Sequence, residues 1–175
     1  MVVKYLSLNF IGEPTAVLFR RNLVEKSGVF NPGFAQICDL EYWMRIASEH
    51  GVLYIPHALA KFRVHASSVS FSNDVGKKFK SSFIDPILIA YNLLFDVHYD
   101  HFRIHTPVFQ KTKLNNYLKV KLYEAFLFAK KNPSNPHLMQ HWDNLISRYP
   151  LLAEYKKADL FTRILYKLVL LKRKL

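Results

Sequence analysis

The sequence predicts an α/β fold, in which a small core of short strands and helices is followed by a mostly α-helical region. Residues 1–70 alternate short apolar runs with turn signals. After about Ser72, apolar residues recur at three- and four-residue spacing, which is typical of amphipathic helices. We therefore expect two domains, a partial α/β core over residues 1–72 and a basic helical extension over residues 73–175.

Three short strands are predicted in the first domain. Residues 15–19 are rich in Val, Leu and Phe, and residues 52–55 and 60–64 flank the turn-forming pair Pro56-His57. Two helices are predicted between these strands. One covers Asn22–Ser27 and ends at Gly28, and the other covers residues 39–50 and ends before Gly51, because glycine readily adopts the left-handed conformation that closes a helix.

The second domain is predicted to consist of helices separated by proline and asparagine. The apolar spacing indicates four of them, over residues 85–95, 111–131, 137–149 and 159–172. The intervening breaks fall at Pro107, Asn132-Pro133, Pro136 and Pro150, where a helix interior loses a hydrogen bond.

Composition and charge narrow the class of protein. Half of the residues are apolar and 15% are aromatic, which excludes a disordered chain. The single cysteine, Cys38, excludes an internal disulfide and fits a reducing, cytoplasmic compartment. Residues 1–70 hold 7 basic and 5 acidic residues, whereas residues 71–175 hold 18 and 8, so the excess of positive charge lies in the second part. Such a surface attracts anions, and the charge alone does not select among nucleic acid, anionic lipid and phosphorylated substrates.

The order of motifs between Asn9 and Ser70 resembles the acceptor-side half of family 2 glycosyltransferases of the GT-A type. These motifs are a strand with a trailing arginine, a "GxF(D/N)" turn, a helix of the form D-x-(D/E)-x-W-x-R, a "YIP"-like segment and an Arg-x-His followed by serine. The residues in register are Arg20, Gly28, Phe30, Asn31, Asp39, Glu41, Trp43, Arg45, Tyr54, Pro56, Arg63, His65 and Ser70. The resemblance covers about a third of the chain and implies a partial GT-A-like core.

The resemblance implies that Asp39 is the catalytic base. Inverting transfer requires a carboxylate that removes the proton of the acceptor hydroxyl as it attacks the anomeric carbon. From its position alone, Asp39 is also explained as a helix N-cap. The pair Asp39-Leu40-Glu41 is not the metal-binding D-x-D of the family, since that motif ends a strand in the half that this sequence lacks.

Two further residues of the same helix are candidates for substrate binding. Trp43 could stack on a sugar ring, although its place on the apolar helix face favours a role in the core. Arg45 either pairs with a carboxylate near the site or is solvated on the helix surface.

The end of the resembling segment supplies the candidates for binding the diphosphate and the metal. The resemblance implies that Arg63 offsets phosphate charge and that His65 helps to hold a divalent metal, Mn or Mg, in the complete enzyme. The competing interpretation of His65 is an exposed loop histidine.

The expected function is transfer of a sugar from a nucleotide-sugar to a carbohydrate acceptor in surface polysaccharide synthesis. The nucleotide-binding half needs about 100 residues, and the sequence reaches its first predicted core strand by Thr15. We therefore expect little activity from this chain alone, and a separately encoded donor half is one candidate partner chain. The alternative is a non-catalytic module that binds a partner chain or an anionic membrane surface.

The last helix, residues 159–172, carries leucines with lysine and arginine and is too short to span a bilayer. It is predicted either to lie peripherally on the inner membrane face or to pack its apolar residues on its neighbours. Nucleic acid is an unlikely partner, because no recognised binding motif accompanies the charge.

Overall fold

A computed structural model describes residues 11–61, 78–155 and 159–172 of the chain. Its elements are α1 (Asn22–Ser27), α2 (Cys38–His50), α3 (Asp85–Phe95), α4 (Asp100–His105), α5 (Val108–Lys131), α6 (Pro136–Arg148), α7 (Leu151–Glu154) and α8 (Leu160–Lys172). A short 3₁₀ turn, Pro14–Ala16, precedes α1, a π-helical turn, Lys80–Ile84, leads into α3, and a second 3₁₀ turn, Val97–Tyr99, precedes α4.

The predicted α/β fold is wrong, because the described residues form helices and contain no strand. Residues 15–19 begin in the 3₁₀ turn and continue without regular structure, and residues 52–55 are irregular and 53% to 87% exposed. The third predicted strand, residues 60–64, lies mostly outside the described residues. The physical reason is that β-propensity reports a fit to a paired, half-buried surface. No neighbouring strand pairs with residues 52–55 in the described part of the chain.

The helix predictions are confirmed, with small shifts at their ends. Gly28 and Gly51 follow α1 and α2 with φ of 72° and 76°, a region that residues with a Cβ adopt at a cost. Helix α3 has the predicted bounds. Helix α5 begins three residues before the predicted start, at Val108, because Pro107 with φ −57° precedes it and ends the preceding turn.

The main hydrophobic core lies where α3, α5 and α6 pack together. Helix α3 is apolar on nearly all sides and contacts α5, which in turn contacts α6 and α8. The fully buried side chains of this core include Leu40, Phe79, Ile87, Leu88, Leu93, Leu118, Leu122, Leu138 and Trp142. Each such leucine contributes about 2 kcal/mol by leaving water.

Helix α2 joins this core to a second, smaller cluster. Leu40 belongs to the main core, whereas Tyr42, Trp43 and Ile46 pack with Phe19 and other residues of the N-terminal segment. The predicted domain boundary at residue 72 falls outside the described residues. Helix α2, from the first predicted domain, therefore packs directly against the helices of the second, and the boundary stays a prediction.

Within the described residues, no helix combines the length and the apolarity that crossing a bilayer requires.

Candidate functional site

Asp39 lies in the first turn of α2, at the end of a turn-rich loop. Its side chain is half-buried, and its Oδ1 accepts the backbone N–H of Leu40 at 2.7 Å. Carboxylates are favoured in the first turn of a helix because the unpaired N–H groups there carry partial positive charge. The predicted base is therefore on the chain's surface, in the place where a helix tolerates an ionised carboxylate.

The loop before Asp39 is held by a buried carboxylate from a distant part of the chain. Asp85, fully buried at the start of α3, accepts the backbone N–H groups of Ala35 at 2.8 Å, Gln36 at 2.8 Å and Ile37 at 3.2 Å. Burial raises the pKa of the Asp85 carboxyl, and the three N–H bonds act in the opposite direction. The backbone that leads into Asp39 is thus fixed relative to α3.

Glu41 and Arg45 form a buried ion pair on α2, one helical turn apart. Arg45 Nε donates to Glu41 Oε1 and Nη2 donates to Oε2, each at 3.1 Å, and both side chains are less than 10% exposed. The Tyr99 hydroxyl donates to the Glu41 carbonyl at 3.1 Å. Burial raises the pKa of Glu41, although the Arg45 charge lowers it. The bidentate geometry is the one in which arginine binds a carboxylate most specifically.

Arg45 also fixes the loop that follows α1. Its Nη1 donates to the Ser27 carbonyl and its Nη2 to the Val29 carbonyl at 2.9 Å, while its guanidinium lies 5.0 Å from the ring centroid of Tyr42. All of these hydrogen bonds join Arg45 to acceptors within the protein. Arg45 would have to lose at least one of them to bind a substrate, and its substrate-binding role stays a prediction.

Trp43 packs in an aromatic cluster beneath α2. Its ring centroid lies 5.3 Å from those of Phe19 and Tyr42 and 6.0 Å from that of Phe30, and the residue is 6% exposed. Its Nε1–H has no acceptor among the described residues. This position matches the core role that the apolar spacing favours, and stacking of Trp43 on a sugar stays a prediction.

The other two predicted site residues, Arg63 and His65, lie outside the described residues. The structure therefore brings together Asp39, Trp43 and Arg45 on one helix, and does not describe how the Arg-x-His end approaches them. Within residues 11–61, 78–155 and 159–172, no three His, Cys, Asp or Glu side chains come together as a metal site. The divalent metal stays a prediction attached to His65.

A cleft of about 260 Å³ opens between the loop over residues 32–35 and helices α3 and α6. Its lining includes the apolar side chains of Phe34 and Leu88, and its basic lining residues are Lys80, His141 and Arg148. Burial and the nearby Lys80 charge lower the pKa of His141, so the imidazole favours the neutral form. Asp39 is not part of this lining, and the cleft is therefore separate from the predicted base.

Sequence reasoning missed Asp85, which holds the loop before α2, and Tyr99, which bonds to α2 itself. Asp85 was visible only as an acidic residue before Pro86 at a helix start, a pattern that indicates a local helix signal. Its partners are about fifty positions away, and no local pattern reports such a contact. Nothing in the sequence around Tyr99 indicated that its hydroxyl bonds to α2.

Comparison with known proteins gives one partial match. A protein of Mycobacterium tuberculosis (strain CDC 1551 / Oshkosh), described as uncharacterized, is 38% identical over 68 residues, which cover 39% of this chain and 21% of that protein. The chain thus spans about a fifth of the length of the curated relative that it matches. No protein-family model and no solved structure matches the chain.

Proposed function

We propose that the chain is the acceptor-side part of a family 2 glycosyltransferase, which transfers a sugar from a nucleotide-sugar to a carbohydrate acceptor with inversion. The observation that carries the proposal is the division of roles along α2. Glu41 and Arg45 are buried and paired with each other, whereas Asp39 is half-buried in the first turn of α2, just after an anchored loop. Of the two acids in the D-x-E-x-W-x-R motif, Glu41 is buried and Asp39 is partly exposed, which supports Asp39 as the residue that accepts the proton.

In this proposal, Asp39 acts as the general base. One carboxylate oxygen accepts the proton of the acceptor hydroxyl, the hydroxyl oxygen forms a bond to the anomeric carbon, and the bond from that carbon to the nucleoside diphosphate breaks. Attack from the face opposite the diphosphate inverts the configuration. By resemblance, Arg63 offsets the diphosphate charge, and a divalent metal at His65 would neutralise it further in the complete enzyme. Asp85 keeps the base in place through the backbone of residues 35–37.

The nucleotide-binding part of the enzyme is proposed to pack on apolar side chains that the described chain leaves in water. Leu18 is 99% exposed and Leu53 87% exposed, and exposed apolar surface of this kind is typical of an interface. The free thiol of Cys38 supports a cytoplasmic location for the enzyme.

Titration with a panel of oligosaccharides, followed by backbone amide NMR, tests the proposed acceptor site. We expect acceptor binding to shift the amide signals of residues 38–40, and Asp39→Asn to weaken that binding, because the amide presents an NH₂ group in place of one carboxylate oxygen. Asp143→Asn, which changes an exposed aspartate on α6, is the matched control. Binding that shifts other signals, or no carbohydrate binding at all, would overturn the proposal.

A second arm of the experiment tests whether the chain supplies only the acceptor side of the enzyme. The purified chain is incubated with manganese and a panel of nucleotide-sugars, and we expect neither turnover nor tight nucleotide binding. Turnover by the chain alone would leave the transferase assignment standing and overturn its restriction to the acceptor side.

The alternative is a non-catalytic module that binds a partner chain. The exposed, irregular segment at residues 52–55 favours it, because apolar side chains in water are typical of an interface. The two functions separate by mutation. Leu53→Ser would weaken partner binding in both cases, whereas Asp39→Asn would weaken carbohydrate binding in the transferase and would change nothing in a purely structural module.

A further inference from the structure

The terminal helix α8 carries a continuous apolar stripe that faces solvent. At about 100° per residue, five exposed apolar positions fall within an arc of about 100°. These five residues are Leu160, Phe161, Ile164, Leu168 and Leu171, each between 47% and 75% exposed, whereas Leu170, which is 37% exposed, lies outside the arc. An arc of this width is the face that an amphipathic helix normally buries.

The opposite side of α8 is already occupied by the protein. Thr162 is 2% exposed, and the Tyr166 ring packs edge-on against Tyr123 of α5, with centroids 5.3 Å apart. The start of the helix is held by Asp159, whose Oδ1 accepts the Thr162 N–H at 2.7 Å and whose Oδ2 lies 3.7 Å from Lys119 Nζ. The helix is thus fixed on α5 with its apolar stripe directed outward, and the stripe is not the packing face of the chain.

Positive charge borders the stripe. Arg163 and Lys167 are exposed, lie one helical turn apart and follow the edge of the apolar arc. The sequence from Leu160 to the end holds five basic and no acidic residues. Basic side chains beside an apolar stripe suit a surface that is negatively charged outside and apolar beneath, since their long stems reach the charge while leucines enter the apolar layer.

We propose that α8 binds the surface of a membrane that contains anionic lipid, lying in the plane of the interface with its apolar stripe among the acyl chains. With 13 residues the helix is about 20 Å long. When its axis lies in the plane of the membrane surface, the whole apolar stripe contacts the acyl chains. The charge beside the stripe selects an anionic bilayer over a neutral apolar partner. This function is independent of the chemistry proposed for Asp39.

Co-sedimentation with vesicles tests the proposal, using the full chain with vesicles of phosphatidylcholine alone or mixed with phosphatidylglycerol. We expect binding to the mixed vesicles that weakens as salt is raised, and at least tenfold weaker binding to phosphatidylcholine. Removing two charges with Arg163→Gln/Lys167→Gln should weaken binding about 30-fold at low salt. Ile164→Ser/Leu168→Ser should weaken it about 100-fold, because two side chains no longer enter the apolar layer.

Matched controls lie elsewhere on the surface. Lys130→Gln/Lys131→Gln removes two exposed charges from the end of α5, and Leu151→Ser removes an exposed leucine from α7. Both are expected to bind vesicles like the unchanged chain. Circular dichroism shows whether each variant keeps its helices.

Three results would overturn the proposal. The first is failure of the unchanged chain to bind the mixed vesicles, and the second is binding that the stripe and charge variants leave unaltered. The third is concentration-dependent self-association that Ile164→Ser/Leu168→Ser abolishes in the absence of vesicle binding, which would assign the stripe to a second copy of the chain. Asp39→Asn should bind vesicles normally, so failure of the membrane proposal and failure of the transferase proposal are distinguishable.

Discussion

At the scale of single residues, Glu41 and Arg45 belong to the motif but have a structural role. Both stand in the pattern that resembles the glycosyltransferase helix, and their spacing alone is equally consistent with a surface position. In the structure they are buried and bonded to each other, and Arg45 also reaches two backbone carbonyls. Their hydrogen bonds stabilise the position of α2, which carries Asp39.

The buried pair leads to a prediction about stability. Arg45→Met should lower the free energy of unfolding by about 3–5 kcal/mol, because Glu41 is left as an uncompensated buried charge. The double change Glu41→Met/Arg45→Met should cost much less, since neither charge then remains. Urea unfolding monitored by circular dichroism measures both values.

Arg21→Met, at an exposed position just before α1, is the control and should change the free energy of unfolding by less than about 0.5 kcal/mol. If the double variant is as unstable as Arg45→Met, the two side chains are not energetically coupled in the way that their geometry indicates.

At the scale of elements, the clamp between α3 and the loop before α2 determines where Asp39 lies. Asp85 belongs to α3 and bonds three successive N–H groups of the loop. A loop held at three consecutive amides has little freedom, and its orientation relative to α3 is defined. The π-helical turn, Lys80–Ile84, runs directly into the N-terminus of α3, at the end where this carboxylate is buried.

Replacement of the Asp85 carboxylate should lower the free energy of unfolding. Asp85→Asn replaces one carboxylate oxygen by an NH₂ group, which leaves at least one buried N–H of residues 35–37 without an acceptor. We expect the free energy of unfolding to fall by about 2 kcal/mol, and the amide signals of residues 35–39 to shift in NMR spectra. Asp143→Asn on the exposed face of α6 should leave both unchanged. An unchanged stability in Asp85→Asn would mean that water satisfies the freed N–H groups.

At the scale of the whole molecule, the described chain combines a buried helical core with an exposed segment. The core between α3, α5 and α6 is well buried, whereas every residue from Gly51 to Lys61 is exposed. In that segment the backbone hydrogen bonds to other described residues are those of Gly51 N–H with the Ala47 carbonyl and His57 N–H with the Ile55 carbonyl. The segment therefore has few backbone hydrogen bonds to the rest of the described chain, in contrast to the buried core.

Hydrogen exchange should show this contrast directly. Amides of residues 52–61 are expected to exchange within seconds, because most have no acceptor among the residues that the structure describes, whereas those of Leu40 to Ile46 exchange only on opening of α2. Mass spectrometry of labelled peptides measures both. Slow exchange over residues 52–61 in the isolated chain would show that this segment is sheltered, and would remove the support that it gives to a partner-binding function.

Six of the eight helices in the described residues follow from the sequence alone, since the signals that place them are local. Glycines with positive φ end α1 and α2, prolines separate the later helices, and three- and four-residue apolar spacing marks the buried faces. The sequence also singled out Asp39 from its place in a motif.

The tertiary structure decided what depends on partners far away in the chain. A strand exists only where another strand pairs with it, so the β-prone residues 52–55 remain irregular in the described chain. Burial likewise is a property of the packed molecule. It separated Asp39, which meets solvent, from Glu41 and Arg45, which bond to each other, and it left the apolar stripe of α8 uncovered.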